Sequence, residues 1–409
     1  MFWLYVFWVL GSALLLQSVW SLIDGYKFLD YLQRSQASPL SSYQPAAALI
    51  IPCKGLDIGL EQHLKAYLSQ DYLDYQVILA VSSESDPAFP VLRGMAENQD
   101  GSKHSRPRKI SLVVAGVSEV NGEKVHNLLA ALEGVDAETE VLAFADSDGC
   151  PHRDWLRTLI SPLSDPAVTV STGFRWYLPS AYFASRLQAA WDSVIATSLG
   201  DHPASLAWGG SMAMRAEDFR RMKIAEKYWQ GTVSDDYAVA QAVRDAGGLI
   251  RFEPRCLVAA EADTQVRSVV HWTNRQIILT RVYAPRLWLR GMVSFGLYVL
   301  GILADVAVLV LPSLGTGAKA QAAVLLAAIL SLGLAKGRLR LIAAHRSFPG
   351  QRERLRRWGG CYWRLAWLTP WLMFWNFSIA AFVRRIEWRG TIYHLKSRTK
   401  VCILRRSTS

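Results

Sequence analysis

The sequence has little cysteine. Its five cysteines, Cys53, Cys150, Cys256, Cys361 and Cys402, lie far apart and form no Cys-x-x-Cys pair. That excludes a zinc ribbon and a disulfide framework, and fits reduced thiols in a cytosolic setting. Charge is also scarce, at 19% of residues, against 51% hydrophobic residues and 16 tryptophans in 409. Such a composition points to membrane contact. Acids are the minority sign: 34 Asp and Glu face 45 Lys and Arg, a formal net charge of +11. A basic chain meets anionic lipid, anionic substrates or nucleic acid. No nucleic-acid-binding motif is present and the basic excess lies beside apolar segments, so nucleic acid is not expected as a partner. There is no internal repeat and no low-complexity block.

Residues 1–23, MFWLYVFWVLGSALLLQSVWSLI, carry no charged side chain. They are long enough to cross a bilayer. They lack the basic start and small-residue cleavage site of a signal peptide. A retained transmembrane helix is therefore expected over 1–24. Lys27 and Arg34 follow it and no Lys or Arg precedes it, which puts the next segment in the cytosol. Three more apolar stretches lie at 291–315, 320–335 and 362–383. Asp305 falls inside the first, where a charge is costly and serves either function or a helix contact. The second is short and needs Lys319 and Lys336 to snorkel.

The segments around 336–358 and 384–409 are both strongly basic, and the positive-inside rule wants both in the cytosol. A single crossing by 362–383 forbids that. The expectation is thus two spans plus a re-entrant or interfacial segment bent at Pro370, over 288–386. Trp363, Trp367, Trp371 and Trp375, four residues apart, would then lie along the lipid interface. A plain fourth span is the alternative. Residues 387–409 are expected as a basic cytosolic tail on an anionic membrane surface, each Lys or Arg contributing about 1 kcal/mol.

Residues 45–287 read as a soluble α/β domain. AAALIIP (46–52), YQVILAVS (75–82), KISLVVAG (109–116) and EVLAFAD (140–146) are short apolar runs. Helical patterns at 59–70 and 124–135 lie between them. That alternation argues for a parallel sheet. Three acidic clusters then fall at ligand-binding strand ends or a helix start: SSESDPA (82–88), DSDG (146–149) and SDDY (234–237). Turn or cap chemistry explains any one of them alone.

The order and spacing of these motifs resemble the family-2 glycosyltransferases, and within them the ceramide glucosyltransferase-like branch. The resemblance runs from about Ala46 to Leu395. It implies a GT-A-type, Rossmann-like parallel or mixed sheet domain with an N-terminal anchor and C-terminal membrane helices. PCKGLD (52–57) is similar to the opening donor loop, giving Pro52 and Lys54 to the donor. SDPA supplies Asp86, KVHNL (124–128) supplies Lys124, and DSDG supplies Asp146. GDHP (200–203) gives His202 to the acceptor, and GGSMAMR (209–215) gives Gly210 and Ser211. SDDY gives Asp235 to the acceptor and Asp236 as the base. WRGTIY (388–393) resembles the branch's tail signature.

One departure concerns the family's Q/RxxRW motif. Here HWTNRQIILTRVY (271–283) offers Arg275 or Gln276 for the first position, with Arg281 further on and no Arg-Trp pair at the expected spacing. The missing pair argues against a processive polysaccharide synthase. Intact acids at all three clusters argue against an inactive scaffold.

The chemistry implied is transfer of a hexose, with glucose the expected sugar, from a nucleotide sugar such as a UDP-sugar. The acceptor is the hydroxyl of a membrane lipid such as ceramide. The departing diphosphate needs a cation. Oxygen ligands suit Mg2+ or Mn2+, held by Asp148 first and Asp146 second. One base and no carboxylate nucleophile imply direct displacement with inversion. The expected location is a bacterial inner membrane or its equivalent, with the catalytic domain in the cytosol.

Overall fold

The computed structural model describes residues 2–97, 107–203 and 206–406. The chain divides into two compact units. One comprises 33–176, 199–260 and 384–409; the other comprises 1–32, 177–198 and 261–383. The last three residues of the expected tail, 407–409, lie outside the described residues.

The first of these units is built on seven strands: β1 (Ala47–Pro52), β2 (Tyr75–Val81), β3 (Lys109–Val114), β4 (Val141–Ala145), β5 (Val168–Leu178), β6 (Ser211–Arg215) and β7 (Leu249–Glu261). Their order is β3-β2-β1-β4-β6-β5-β7. β1, β2 and β4 are buried at every position. That is why they read as unbroken apolar runs rather than alternating ones. β3, at the sheet edge, is only half-buried. The β3-β2-β1-β4 half is parallel, whereas β6 runs antiparallel to both β4 and β5.

Two features of this topology position the site. The chain leaves β1 toward β2 on one side and returns in β4 on the other, so the strand order reverses between β1 and β4. A crevice opens at such a reversal, beyond the carboxyl ends of the strands. Asp146 follows β4 there directly. Ala145 pairs with Ser211 in β6. Antiparallel pairing therefore brings the residues just before Ser211 beside those just after Ala145.

The same unit holds a second sheet, of β8 (Arg385–Trp388), β9 (Thr391–Ser397) and β10 (Lys400–Arg406), antiparallel in order β10-β9-β8. Thr391, Tyr393 and Leu395 alternate as its buried face. The segment expected from its charge as a basic tail is thus a folded part of this unit.

The other unit is helical. Three helices are long and apolar enough to cross a membrane: Leu4–Ala37, Pro285–Val310 and Thr316–Ser347. The last continues well past the 320–335 stretch seen in the sequence. Phe7, Val308 and Ala322 form a common core among them. The apolar stretch 362–383 resolves into a short helix, Cys361–Arg364, and a 14-residue helix, Thr369–Phe382. At 1.5 Å per residue the latter is about 21 Å long, short of a bilayer core of about 30 Å. Pro370 stands in its first turn. There its missing N–H costs nothing, so Pro370 starts a helix and does not bend one. Asn376, fully buried, accepts the Trp191 indole N–H at 3.0 Å and donates to Thr273 and Asn274.

Candidate active site

The centre of the site is Lys124. It lies in the helix Glu123–Leu132, whose start is tightly constrained: a Cβ on Gly122 would come 2.7 Å from the Val233 Cα. The Lys124 Nζ lies 2.7 Å from Asp146 Oδ1 and 3.2 Å from Asp235 Oδ2. Burial works against the ammonium, but the carboxylates of Asp146, Asp235 and Asp236 outweigh it and hold its pKa well above the ordinary lysine value. Lys124 is thus a fixed positive charge.

Asp235 and Asp236 open the helix Asp235–Asp245, capped by Ser234. They occupy different environments. Asp235 is buried. Burial pushes its carboxyl up to about 7; the Lys124 ammonium opposes this, and the negative charges of Asp236 and Asp146 add to it. Asp236 is half-exposed. Its Oδ1 accepts the Ser234 hydroxyl and the Tyr237 N–H, while Oδ2 has only a long, 3.5 Å contact from the Gly209 N–H.

Gly209 and Gly210 form the opposing wall. A Cβ on Gly209 would fall 2.0 Å from Asp235 Oδ2, and one on Gly210 would fall 2.5 Å from Asp146 Oδ2. Only glycine lets the backbone approach the acids this closely. Ser211, one residue on, is fully buried, and its hydroxyl accepts the Trp155 indole N–H at 3.0 Å.

Asp148 is exposed in the crevice and forms no hydrogen bond or ion pair among the described residues. The surrounding protein, with Asp146 and Asp57 nearby, pushes its carboxyl up to about 6, while Arg389 and Arg175 pull the other way. Four carboxylates, Asp146, Asp148, Asp235 and Asp236, therefore share one close ammonium. That negative excess fits a divalent cation. Asp148 is available to hold it and Asp146 flanks it. Among the described residues there is no group of three or more acids, His or Cys that could hold a metal ion. Remaining ligands would have to be substrate oxygens and water, the pattern usual for Mg2+.

The donor-loop residues lie along the same edge. Lys54 pairs with Glu123, which also accepts the Ser82 hydroxyl. Asp86 Oδ1 accepts the backbone N–H groups of Gly55 and Ala88, both at 2.8 Å, and so ties the donor loop to the turn after β2. Pro52 closes β1. His202 is exposed on a loop. Arg275, Gln276 and Arg281 belong to the helix Val266–Tyr283 of the helical unit, where Arg281 stacks over Trp288 at 5.6 Å.

Sequence reasoning passed over Asp57, Glu123, Arg389 and Arg406. Arg389 Nη2 donates to both Asp57 oxygens at 2.9 Å, and Nη1 donates to the Lys54 carbonyl. Asp57 also accepts the Ser147 hydroxyl at 3.2 Å. Arg389 lies 332 positions from Asp57, beyond the reach of any local pattern.

Comparison with known proteins places this geometry. A family model described as glycosyl transferase family 21 matches residues 6–401. The mannosyltransferase PcManGT from Pyrobaculum calidifontis, solved with GDP-Man and Mn2+, is similar at 16% identity with a TM-score of 0.48, over 93% of this chain and 97% of that one. Glucosyl-3-phosphoglycerate synthase from Mycobacterium tuberculosis, solved with Mn2+, UDP and phosphoglyceric acid, is similar at 14% identity with a TM-score of 0.38, over 62% and 81%.

Proposed function

We infer, for a chain that belongs to glycosyl transferase family 21 and is a nucleotide-sugar glycosyltransferase, that it moves a hexose onto a membrane lipid hydroxyl with inversion. Glucose from a UDP-sugar is the expected donor group, and ceramide or a related lipid the expected acceptor. The observation that carries the reading is the four-carboxylate cluster around Lys124 at the strand reversal. The lipid acceptor is supported by the three helices long and apolar enough to cross a membrane. The basic segments support an anionic membrane surface as a partner and a cytosolic catalytic unit.

The residues divide the work. Asp235 is buried and Asp146 is ion-paired, so neither is free to take a proton. Asp236 Oδ2 is the accessible oxygen and serves as general base. The acceptor oxygen bonds to the anomeric carbon, its proton passes to Asp236, and the diphosphate leaves with the electron pair of the broken C–O bond. No carboxylate nucleophile intervenes, so the configuration inverts. Lys124 fixes Asp146 and keeps Asp235 in place. A divalent cation held by Asp148 and Asp146 would offset the charge gathering on the leaving diphosphate.

The test incubates membranes carrying the protein with labelled nucleotide sugars and extracts the lipids. Label in a lipid product, lost in Asp148→Ala and in chelator, is expected. Label that remains water-soluble or enters a polymer would refute the lipid acceptor.

A further inference from the structure

The departure from the Q/RxxRW pattern leaves open which arginine meets the diphosphate. A cavity of about 480 Å³ bears on this. One wall is the donor edge, with Lys54, Asp86 and Glu123; the opposite wall is the sheet of residues 385–406, with Arg389, Tyr393 and Arg406. This wall is fastened at separate points. The Tyr393 hydroxyl accepts the Glu123 backbone N–H at 3.4 Å, and Arg406 donates to the Ser118 carbonyl. At the β9–β10 turn, the Thr399 carbonyl packs so closely on Gly231 that a Cβ there would fall 2.1 Å from it.

Arg389 stands in an unusual place for an arginine. Trp388 pairs with Thr391 across a two-residue turn, and both central residues have positive φ, 45° at Arg389 and 77° at Gly390. Such a hairpin turn favours Asn-Gly or Asp-Gly, because left-handed backbone is strained for a side chain as large as arginine. Strain of this kind collects at ligand clamps. Here it is combined with fixed geometry: Asp57 and the Lys54 carbonyl hold the guanidinium, while its Nε–H has no partner among the described residues. The charge acts on Asp148 and Asp146 as well as on Asp57. A planar cation, anchored on one side and lining a cavity beside the metal-site acids, matches the needs of a diphosphate.

We propose that Arg389, presented by the β8–β9 turn, is a donor-binding residue that takes the diphosphate of the nucleotide sugar, with Asp57 its positioning residue and the sheet of residues 385–406 one wall of the donor site. This rests on the nucleotide-sugar reading above.

The test uses Arg389→Asn in the full-length protein in detergent, because asparagine is the residue the turn itself prefers. Binding of UDP and of uridine, and of GDP and guanosine, is measured with Mn2+ present, alongside thermal unfolding. The melting temperature is expected to hold, nucleoside binding to be unchanged, and binding of the preferred diphosphate to weaken about tenfold or more, as for loss of charge-assisted hydrogen bonds. Equal diphosphate binding in variant and wild type overturns the proposal and leaves the transferase reading standing. An equal loss for nucleoside and diphosphate also overturns it, because the wall would then act by shape alone. Wild-type protein that binds neither UDP nor GDP sinks the donor reading and this proposal with it. If Arg389→Asn does not fold, Arg389→Lys takes its place: it keeps one cation without the fork, so a selective weakening for the diphosphate is expected and unchanged binding refutes.

Discussion

Replacing Lys124 with methionine tests the electrostatic core of the site most directly. The side chain keeps its length and loses its charge. Two ion pairs, at 2.7 Å to Asp146 and 3.2 Å to Asp235, disappear together, and Asp235 stays buried. Removing one partner of a buried pair costs about 3–5 kcal/mol, mostly because a charge is left without compensation. For a unit of 150–250 residues, about 2–4 °C of melting temperature corresponds to each kcal/mol, so a fall of about 6–20 °C is expected. Proton uptake by Asp235 moves the result toward the smaller figure. The double variant Lys124→Met with Asp235→Asn removes the stranded charge as well and should recover about half of the loss or more. Thermal unfolding in detergent, followed by tryptophan fluorescence, reads all three variants. A fall below about 3 °C for Lys124→Met, or no recovery in the double variant, would refute the argument that this lysine neutralises buried acid.

Asp236→Asn should keep nucleotide binding and melting temperature but lose turnover by about 100-fold or more, the low end for a missing general base; single-turnover assays of sugar transfer check it, and normal turnover would move the base elsewhere. Gly210→Ala places a Cβ 2.2 Å from Trp208 Cζ2 and 2.5 Å from Asp146 Oδ2, so activity should collapse, whereas Gly317→Ala, with nothing within 4 Å, should match wild type in the same assay. Burial holds the Asp235 carboxyl at about 7. Because the unfolded chain releases that proton near pH 4, this residue's stabilising contribution is present below about pH 4 and is lost as pH rises through 7. The melting temperature of wild type minus that of Asp235→Asn should therefore fall between pH 4 and 7, and a rise would reverse the assignment.

The sequence disclosed the parallel half of the sheet because strands buried on both faces are apolar without interruption, as in Ala47–Pro52 and Tyr75–Val81. It disclosed Asp146, Asp148, Asp235 and Asp236 because paired acids after an apolar run or before a helix are conspicuous. It did not disclose β8–β10, where six of the seven residues of Lys400–Arg406 remain at least partly exposed and basic residues dominate both ends. The alternation of Thr391, Tyr393 and Leu395 was there, but net charge is the louder signal in a short segment. Glu123 lay beside Lys124 and looked like ordinary helix-start chemistry. Its pairing with Lys54 joins positions 69 apart and exists only in the folded chain.

The link from Asp57 to Arg389 has a consequence for how the protein comes into being. A ribosome makes the acids of the crevice early and the turn that carries Arg389 late, after every helix long enough to cross a membrane. At about 5–20 residues per second, the nascent catalytic unit waits tens of seconds for its last wall. During that interval it holds Asp57 without a guanidinium and a crevice open on one side. Nucleotide-sugar turnover is thus deferred until the apolar helices have left the ribosome, and a chain stalled during membrane insertion would be made without spending donor.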